Sequence, residues 1–174
     1  MKVTCSILLF CLFAALSVTV KNQLLREKSP LEALPIGGAM PAFTLPDRTG
    51  NLVMFGKGPP PAKLTMINFW ATWCGPCRIE MPGFEKLYAA KQKDGFLILS
   101  INVDEKQSDL DTYLMSKPVS FPVLLDSDGA LAEQLGIRAY PTTILVDDEG
   151  KILQVIEGLA PYLEFMIEAH LHTK

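Results

Sequence analysis

The apolar run Leu64-Thr65-Met66-Ile67-Asn68-Phe69-Trp70 leads through Ala71-Thr72-Trp73 into Cys74-Gly75-Pro76-Cys77, and a helix-forming stretch follows at once. A short apolar run of this kind reads as a buried strand. The stretch behind it reads as a helix from about Cys74 to Lys91. Ile79, Phe84, Leu87 and Tyr88 fall near one face of that helix, and Pro82 is expected to kink it. The two cysteines therefore sit where a buried strand hands over to a helix, one helical turn apart.

The rest of the chain repeats the alternation. Residues 21–38 read as a polar, then Pro-, Ala- and Gly-rich tether, with the folded domain expected from Ala39. Ala42–Leu45, a turn through Asp47–Gly50, and Asn51–Phe55 read as a β-hairpin. Gly56–Ala62 contains three consecutive prolines and reads as a loop. Phe96–Val103 is a second buried strand, and Asp104–Met115 a helix with Ser108 as its N-cap and Leu110 and Leu114 at i, i+4. Phe121–Leu125 is a third strand, and Asp128–Leu135 a short helix closed by Gly136. Thr142–Val146 and Lys151–Ile156 form a closing hairpin around Asp147–Gly150, and a last helix spans about Pro161–Leu171. Strands that alternate with helices and end in an antiparallel hairpin predict an α/β fold with a mixed central sheet.

The N-terminus is a separate element. No charge occurs from Val3 to Val20; Lys2 precedes this run, and Lys21, Arg26 and Lys28 follow it. Its apolar heart, Ile7–Ala15, has the length of a signal-peptide core, and Ala15-Leu16-Ser17 offers small residues for cleavage. The whole run is also long enough to span a bilayer as an uncleaved anchor. Residues 1–20 are thus expected to be a signal peptide or membrane anchor, with residues 3–20 as the tether if uncleaved. The flanking charges leave the orientation open. Leu8-Leu9-Phe10 before Cys11 lacks the small residue expected ahead of a lipidated cysteine. The net charge of −3 and the lack of any Lys/Arg cluster exclude a nucleic-acid partner.

With Cys5 and Cys11 inside that segment, the folded domain keeps two cysteines, spaced C-x-x-C. A staple across so small a loop stabilises by only about 2 kcal/mol on the chain-entropy estimate, and a domain of this size does not need it. The pair is expected to do chemistry. Only a thiolate attacks a disulfide, and the unpaired N–H groups at a helix N-terminus favour the anion. Cys74, the first of the pair and nearer the surface, is expected to be the nucleophile. Cys77, one turn further in, resolves the mixed disulfide. Pro76 is tolerated because a first-turn N–H has no helical partner.

Ile67–Pro82, INFWATWCGPCRIEMP, together with Ala139-Tyr140-Pro141-Thr142-Thr143, closely resembles the thioredoxin superfamily. More narrowly it resembles the TlpA/ResA-type exported reductases, from about Ala39 to the C-terminus. The resemblance implies a thioredoxin fold with an extra N-terminal hairpin and a helical insertion around residues 105–118. It implies that Pro141 is a cis-proline facing the dithiol, the other reading being an ordinary trans proline that opens a strand. The backbone of Tyr140 would then pair with substrate like a short strand. Trp73, Gly75 and Pro76 complete the substrate-binding collar, while Trp70 is read as core. Asn68 stands where ordinary thioredoxins carry a buried Asp. An amide cannot titrate, so that part of the thioredoxin mechanism is not expected here. Glu80 matches an acidic residue placed beside the cysteines in the TlpA/ResA type, where it would raise thiol pKa values or relay protons; a solvated helix carboxylate is the plainer reading. Arg78 is read as an exposed helix residue, and His170 and His172 as solvated terminal histidines rather than metal ligands.

The activity implied is thiol–disulfide exchange with protein thiols and disulfides, without organic cofactor or metal. By resemblance it is expected to run as reduction outside the cytoplasm, in the periplasm or its equivalent, as in cytochrome c maturation. An upstream membrane thiol reductase would supply the electrons, and the protein is expected to be a monomer. Two alternatives use the same dithiol. A peroxiredoxin-like peroxidase would carry a threonine three residues before its reactive cysteine, where this chain has Ala71. A copper-chaperone-like metal module usually adds a histidine near the cis-proline, and this chain has none before residue 170.

Overall fold

The computed structural model describes residues 34–58, 60–104 and 106–172, the side chain of His172 excepted. The expected targeting segment, Cys5, Cys11 and residues 21–33 of the expected tether lie outside the described residues. Among the described residues no helix is long and apolar enough to cross a membrane.

The chain enters an antiparallel hairpin, β1 (Phe43–Pro46) and β2 (Leu52–Phe55). Asp47 closes its turn by accepting the backbone N–H groups of Thr49 and Asn51 on one oxygen. Then follow β3 (Leu64–Trp70), α1 (Gly75–Lys91), β4 (Phe96–Asn102), α2 (Gln107–Ser116), β5 (Val123–Leu125), α3 (Ala130–Gln134), β6 (Thr142–Asp147), β7 (Ile152–Glu157) and α4 (Leu163–His172). The main sheet has the order β5-β4-β3-β6-β7, with β3 parallel to β4 and antiparallel to β6. This is the mixed α/β architecture expected, with a separate two-stranded hairpin and a helix inserted after β4.

All seven residues of β3 are buried, as a central strand covered on both faces requires. Successive side chains point to opposite faces. Met66 and Trp70 pack with Cys77, Met81 and Phe84 of α1, Tyr113 of α2 and Ile167 of α4. Ile67 and Phe69 pack with Phe43 and Phe55 of the hairpin and Leu131 of α3. One face of β3 therefore lies behind the dithiol, and the other carries a second core. The hairpin tip is clamped to α2, with the Arg48 guanidinium on Asp111 at 2.8 Å and the Gln107 amide on the Arg48 carbonyl at 3.1 Å.

Several local readings are corrected. Ile79 is 72% exposed rather than on the buried face of α1. Five residues of helix rotate it about 140° away from Phe84, so the buried face carries Cys77, Met81, Phe84 and Leu87 instead. The helix expected from Asp104 starts at Gln107. Ser108 is not its cap, because Lys106 holds that place without a side-chain bond. Asp104 is diverted into contacts with Thr72 and Asn102. The third strand begins at Val123, not Phe121, since Pro122 has no N–H to give the ladder. The short helix starts at Ala130, after Gly129 takes a left-handed turn. Inside α1, Pro82 leaves the Arg78 carbonyl without its helical donor.

Residues 34–38, the described part of the expected tether, are packed on the domain. Leu34 is 1% exposed, in one cluster with Met40, Phe43 and Phe55. Gly37 N–H donates to the Ile152 carbonyl at 2.7 Å, and Ile152 N–H to the Gly38 carbonyl at 2.8 Å, which covers the start of edge strand β7. Leu34→Ala is expected to destabilise the protein by about 2–3 kcal/mol in urea unfolding. An unchanged midpoint would mean that this side chain contributes nothing to the core.

Candidate active site

After Trp70 the chain turns through Ala71–Cys74, where the Cys74 N–H donates to the Ala71 carbonyl at 3.2 Å. Cys74 is extended and forms the N-cap of α1, its Sγ accepting the Cys77 N–H at 3.2 Å. The first sulfur thus lies against an N–H that a helix start leaves unpaired, the arrangement that favours a thiolate. Pro76 falls in the first turn, where its missing N–H removes no helical bond. Cys74 and Cys77 are joined as a disulfide, with their Cα atoms 5.3 Å apart. Cys74 is 5% exposed and Cys77 1%. The outer-then-inner order expected of the pair holds, though both sulfurs are largely enclosed.

Trp73 is 68% exposed and meets Tyr140 edge-on, ring centroids 5.9 Å apart. That contact brings the loop before β6 beside the dithiol, although the two segments are far apart in sequence. The Tyr140–Pro141 bond is cis. The Pro141 carbonyl accepts the Gly158 N–H at 2.7 Å, whereas no hydrogen bond among the described residues occupies the backbone of Tyr140. Gly75 and Pro76 are exposed beside Cys74, and Trp70 is fully buried against Tyr113. Burial pushes the phenols of Tyr113 and Tyr140 up; nearby Arg78 partly offsets this for Tyr113, while Asp126 adds to it for Tyr140.

Asn68 is buried on the dithiol side of β3 and donates to the Thr143 hydroxyl at 3.0 Å. Glu80 is half-buried. One of its oxygens accepts the Ala160 N–H at 2.6 Å, and the other is buried without a partner. The carboxyl forms part of the wall of a cavity of about 320 Å³ between α1 and the segment leading into α4, with Ile79, Phe84, Leu159 and Leu163 as its apolar lining. Sequence reasoning found Glu80 but not its partner or this cavity. The contact to Ala160 spans eighty positions, and nothing local marks it. Nor did it single out Asp104, whose carboxylate holds the turn before Cys74. The His170 Nδ1 lies 2.7 Å from the Met166 carbonyl. Among the described residues no group of three or more His, Cys, Asp or Glu is placed to hold a metal.

Desolvation pushes the Glu80 carboxyl above its ordinary value of 4.5, partly opposed by the Ala160 hydrogen bond. A raised carboxyl binds its proton more tightly in the folded state, so stability is lost as pH rises through the window just above 4.5. Glu80→Gln keeps an acceptor for Ala160 and cannot ionise. It is expected to melt at or above the wild-type temperature at pH 8, with that advantage gone at pH 4. A variant less stable than wild type only at pH 8 would reverse this sign.

A family model described as the AhpC/TSA family matches residues 36–155. Thiol-disulfide oxidoreductase ResA of Geobacillus thermodenitrificans is 34% identical over 88% of this chain and 85% of that protein. ResA of Bacillus subtilis is 32% identical over 87% and 82%. Among solved structures, the thioredoxin domain of a thiol-disulfide oxidoreductase from Bacteroides vulgatus superposes with a TM-score of 0.71 at 28% identity, covering 80% of this chain and 99% of that one. A thiol:disulfide interchange protein from Bacteroides sp. gives 0.68 at 29%, covering 79% and 90%. The relatives span the hairpin, the cysteine junction and the cis-proline loop alike: this chain belongs to the AhpC/TSA family of the thioredoxin superfamily and is a thiol–disulfide oxidoreductase of the ResA kind.

Proposed function

We propose that this protein reduces disulfides in extracytoplasmic protein substrates through Cys74 and Cys77. The observation that carries the reading is the dithiol pair at the α1 N-terminus, beside a Tyr140 backbone left free to pair with an extended chain. In the reduced protein the Cys74 thiolate attacks one sulfur of a substrate disulfide, and the other substrate sulfur leaves as a thiolate. Cys77 then loses its proton and attacks Cys74 Sγ, which releases the second substrate thiolate. Two electrons pass to the substrate, and the Cys74–Cys77 bond forms. Trp73, Gly75, Pro76, Tyr140 and Pro141 line the approach of the substrate chain. Glu80 takes or returns the resolving proton, its carboxyl pushed above its ordinary value by burial.

The domain acts as a monomer without organic cofactor or metal, exported by or tethered through its N-terminal apolar run. An upstream membrane thiol reductase returns it to the dithiol. Cytochrome c maturation is the setting that the resemblance of residues 67–82 and 139–143 to the TlpA/ResA type implies. The test is equilibration of the protein with defined thiol–disulfide buffers, read by fluorescence of Trp73 beside Cys74 and of Trp70 in the same core as both cysteines. A potential well below that of glutathione is expected. A potential above it would make the protein an oxidant or isomerase and overturn the direction proposed.

A further inference from the structure

Asp104 follows β4 and is 3% exposed. Its carboxylate takes the Thr72 N–H on both oxygens, at 3.2 and 3.0 Å, and the Asn102 side-chain amide at 2.8 Å. Its own N–H returns to the Asn102 carbonyl oxygen of the side chain at 3.2 Å, so the two residues grip each other. Among the described residues no Lys or Arg pairs with it. Thr72 is the first central residue of the Ala71–Cys74 turn, and Trp73 is the second. A buried acid without a cation is costly to keep unless it has work to do. This one grips the turn that delivers the nucleophile.

We propose that Asp104 is a positioning residue of the dithiol, one that fixes the turn before Cys74 through Thr72 and holds a negative charge behind the nucleophile. The inference rests on the oxidoreductase reading and adds a control on it. The charge disfavours the Cys74 thiolate and so opposes the pull of the helix N-terminus. A dithiol whose thiolate is disfavoured gives up its electrons more readily, which suits a reductant. The ionisable groups on the elements near the pair are Arg78 and Glu80 on α1, Tyr113 on α2, Tyr140 in the loop before β6, and buried Asp126 after β5, whose N–H donates to the Asn102 carbonyl at 2.9 Å. None of their side chains makes a hydrogen bond to the turn; the backbone N–H of Arg78 donates to the Cys74 carbonyl at 3.2 Å as the first helical bond.

The test is the pH dependence of Cys74 alkylation in the reduced protein, with Asp104→Asn beside wild type. The midpoint is expected to fall by about half a unit, less than for a charge in direct contact, because Asp104 bonds to Thr72 and not to Cys74. Asp104→Asn keeps one oxygen for the Thr72 N–H and the Asn102 amide but sets its NH2 where the second oxygen accepted Thr72, and the variant risks misfolding. The exchanged pair Asn102→Asp with Asp104→Asn keeps a bond between the two side chains and one to the Thr72 N–H, gives up the second Thr72 contact, and moves the charge one side chain further from Thr72. It is expected to fold, with a midpoint between those of wild type and the single variant, or simply below wild type where the single variant is unfolded. A midpoint unchanged in the exchanged pair, and in the single variant if it folds, overturns the proposal whatever happens to the melting temperature. Wild type that fails to exchange disulfides at all would strike the oxidoreductase reading instead.

Discussion

Cys77→Ser is expected to bring disulfide-reducing turnover down to the rate without enzyme while leaving Cys74 able to attack. The serine cannot displace the substrate, so the variant accumulates as a mixed disulfide through Cys74. Mass spectrometry of the variant after incubation with a disulfide-bonded protein checks this: one equivalent of substrate should be attached, and a thiol reductant should release it. Cys74→Ser should attach none, because its remaining thiol lies one turn inside the helix and is 1% exposed. The opposite pattern, with substrate on Cys77 and none on Cys74, would exchange the roles assigned to the two cysteines. Because Cys74 Sγ also caps α1, both variants should be compared with wild type in the reduced state, so that loss of the disulfide is common to all.

The second large effect is on stability. Phe69→Ala removes a fully buried ring from the face of β3 opposite the dithiol, where it packs among residues of the hairpin and α3. A cost of about 3–5 kcal/mol is expected, the range for Phe→Ala in a closely packed core. That is a large share of the 5–15 kcal/mol that usually holds a domain together. A urea titration should show the midpoint falling sharply. The potential of the dithiol, measured at a temperature where the variant is folded, should stay near that of wild type, since Phe69 belongs to the core on the far side of the sheet. A shift of potential as large as that of a variant in the cysteine turn would mean that the two cores are coupled through β3.

Much of this architecture was legible in the residues. Period-two and all-apolar runs mark strands, and the glycine and proline turns separate them, so the element order could be written down before any coordinates. The ends of elements were less legible. Helix α2 starts three residues later than its sequence suggests because Asp104 spends its carboxylate on Thr72, thirty-two positions away, rather than on a helix N-terminus. Ile79 reads as apolar and helical, but its angular position sends it to solvent at the edge of the cavity next to Glu80. Leu34 lies in a stretch whose composition suits a linker, and only its packing against Phe43 and Phe55 makes it core.

The site divides along the same line. Residue type and spacing alone determined that two thiols meet at a helix start, that Pro76 does not harm that helix, and that Asn68 cannot titrate. These are properties of neighbours within a few positions, where backbone geometry leaves little choice. Resemblance set the Tyr140–Pro141 loop opposite the dithiol, but only the tertiary structure decided the contacts made there: Tyr140 on Trp73, Ala160 on Glu80, and Asp104 on Thr72. Each of those contacts joins residues more than thirty positions apart. Their geometry depends on how strands are ordered in the sheet and how helices lie on it, and hydrophobic burial, which is non-directional, sets that order only through the packing of the whole core.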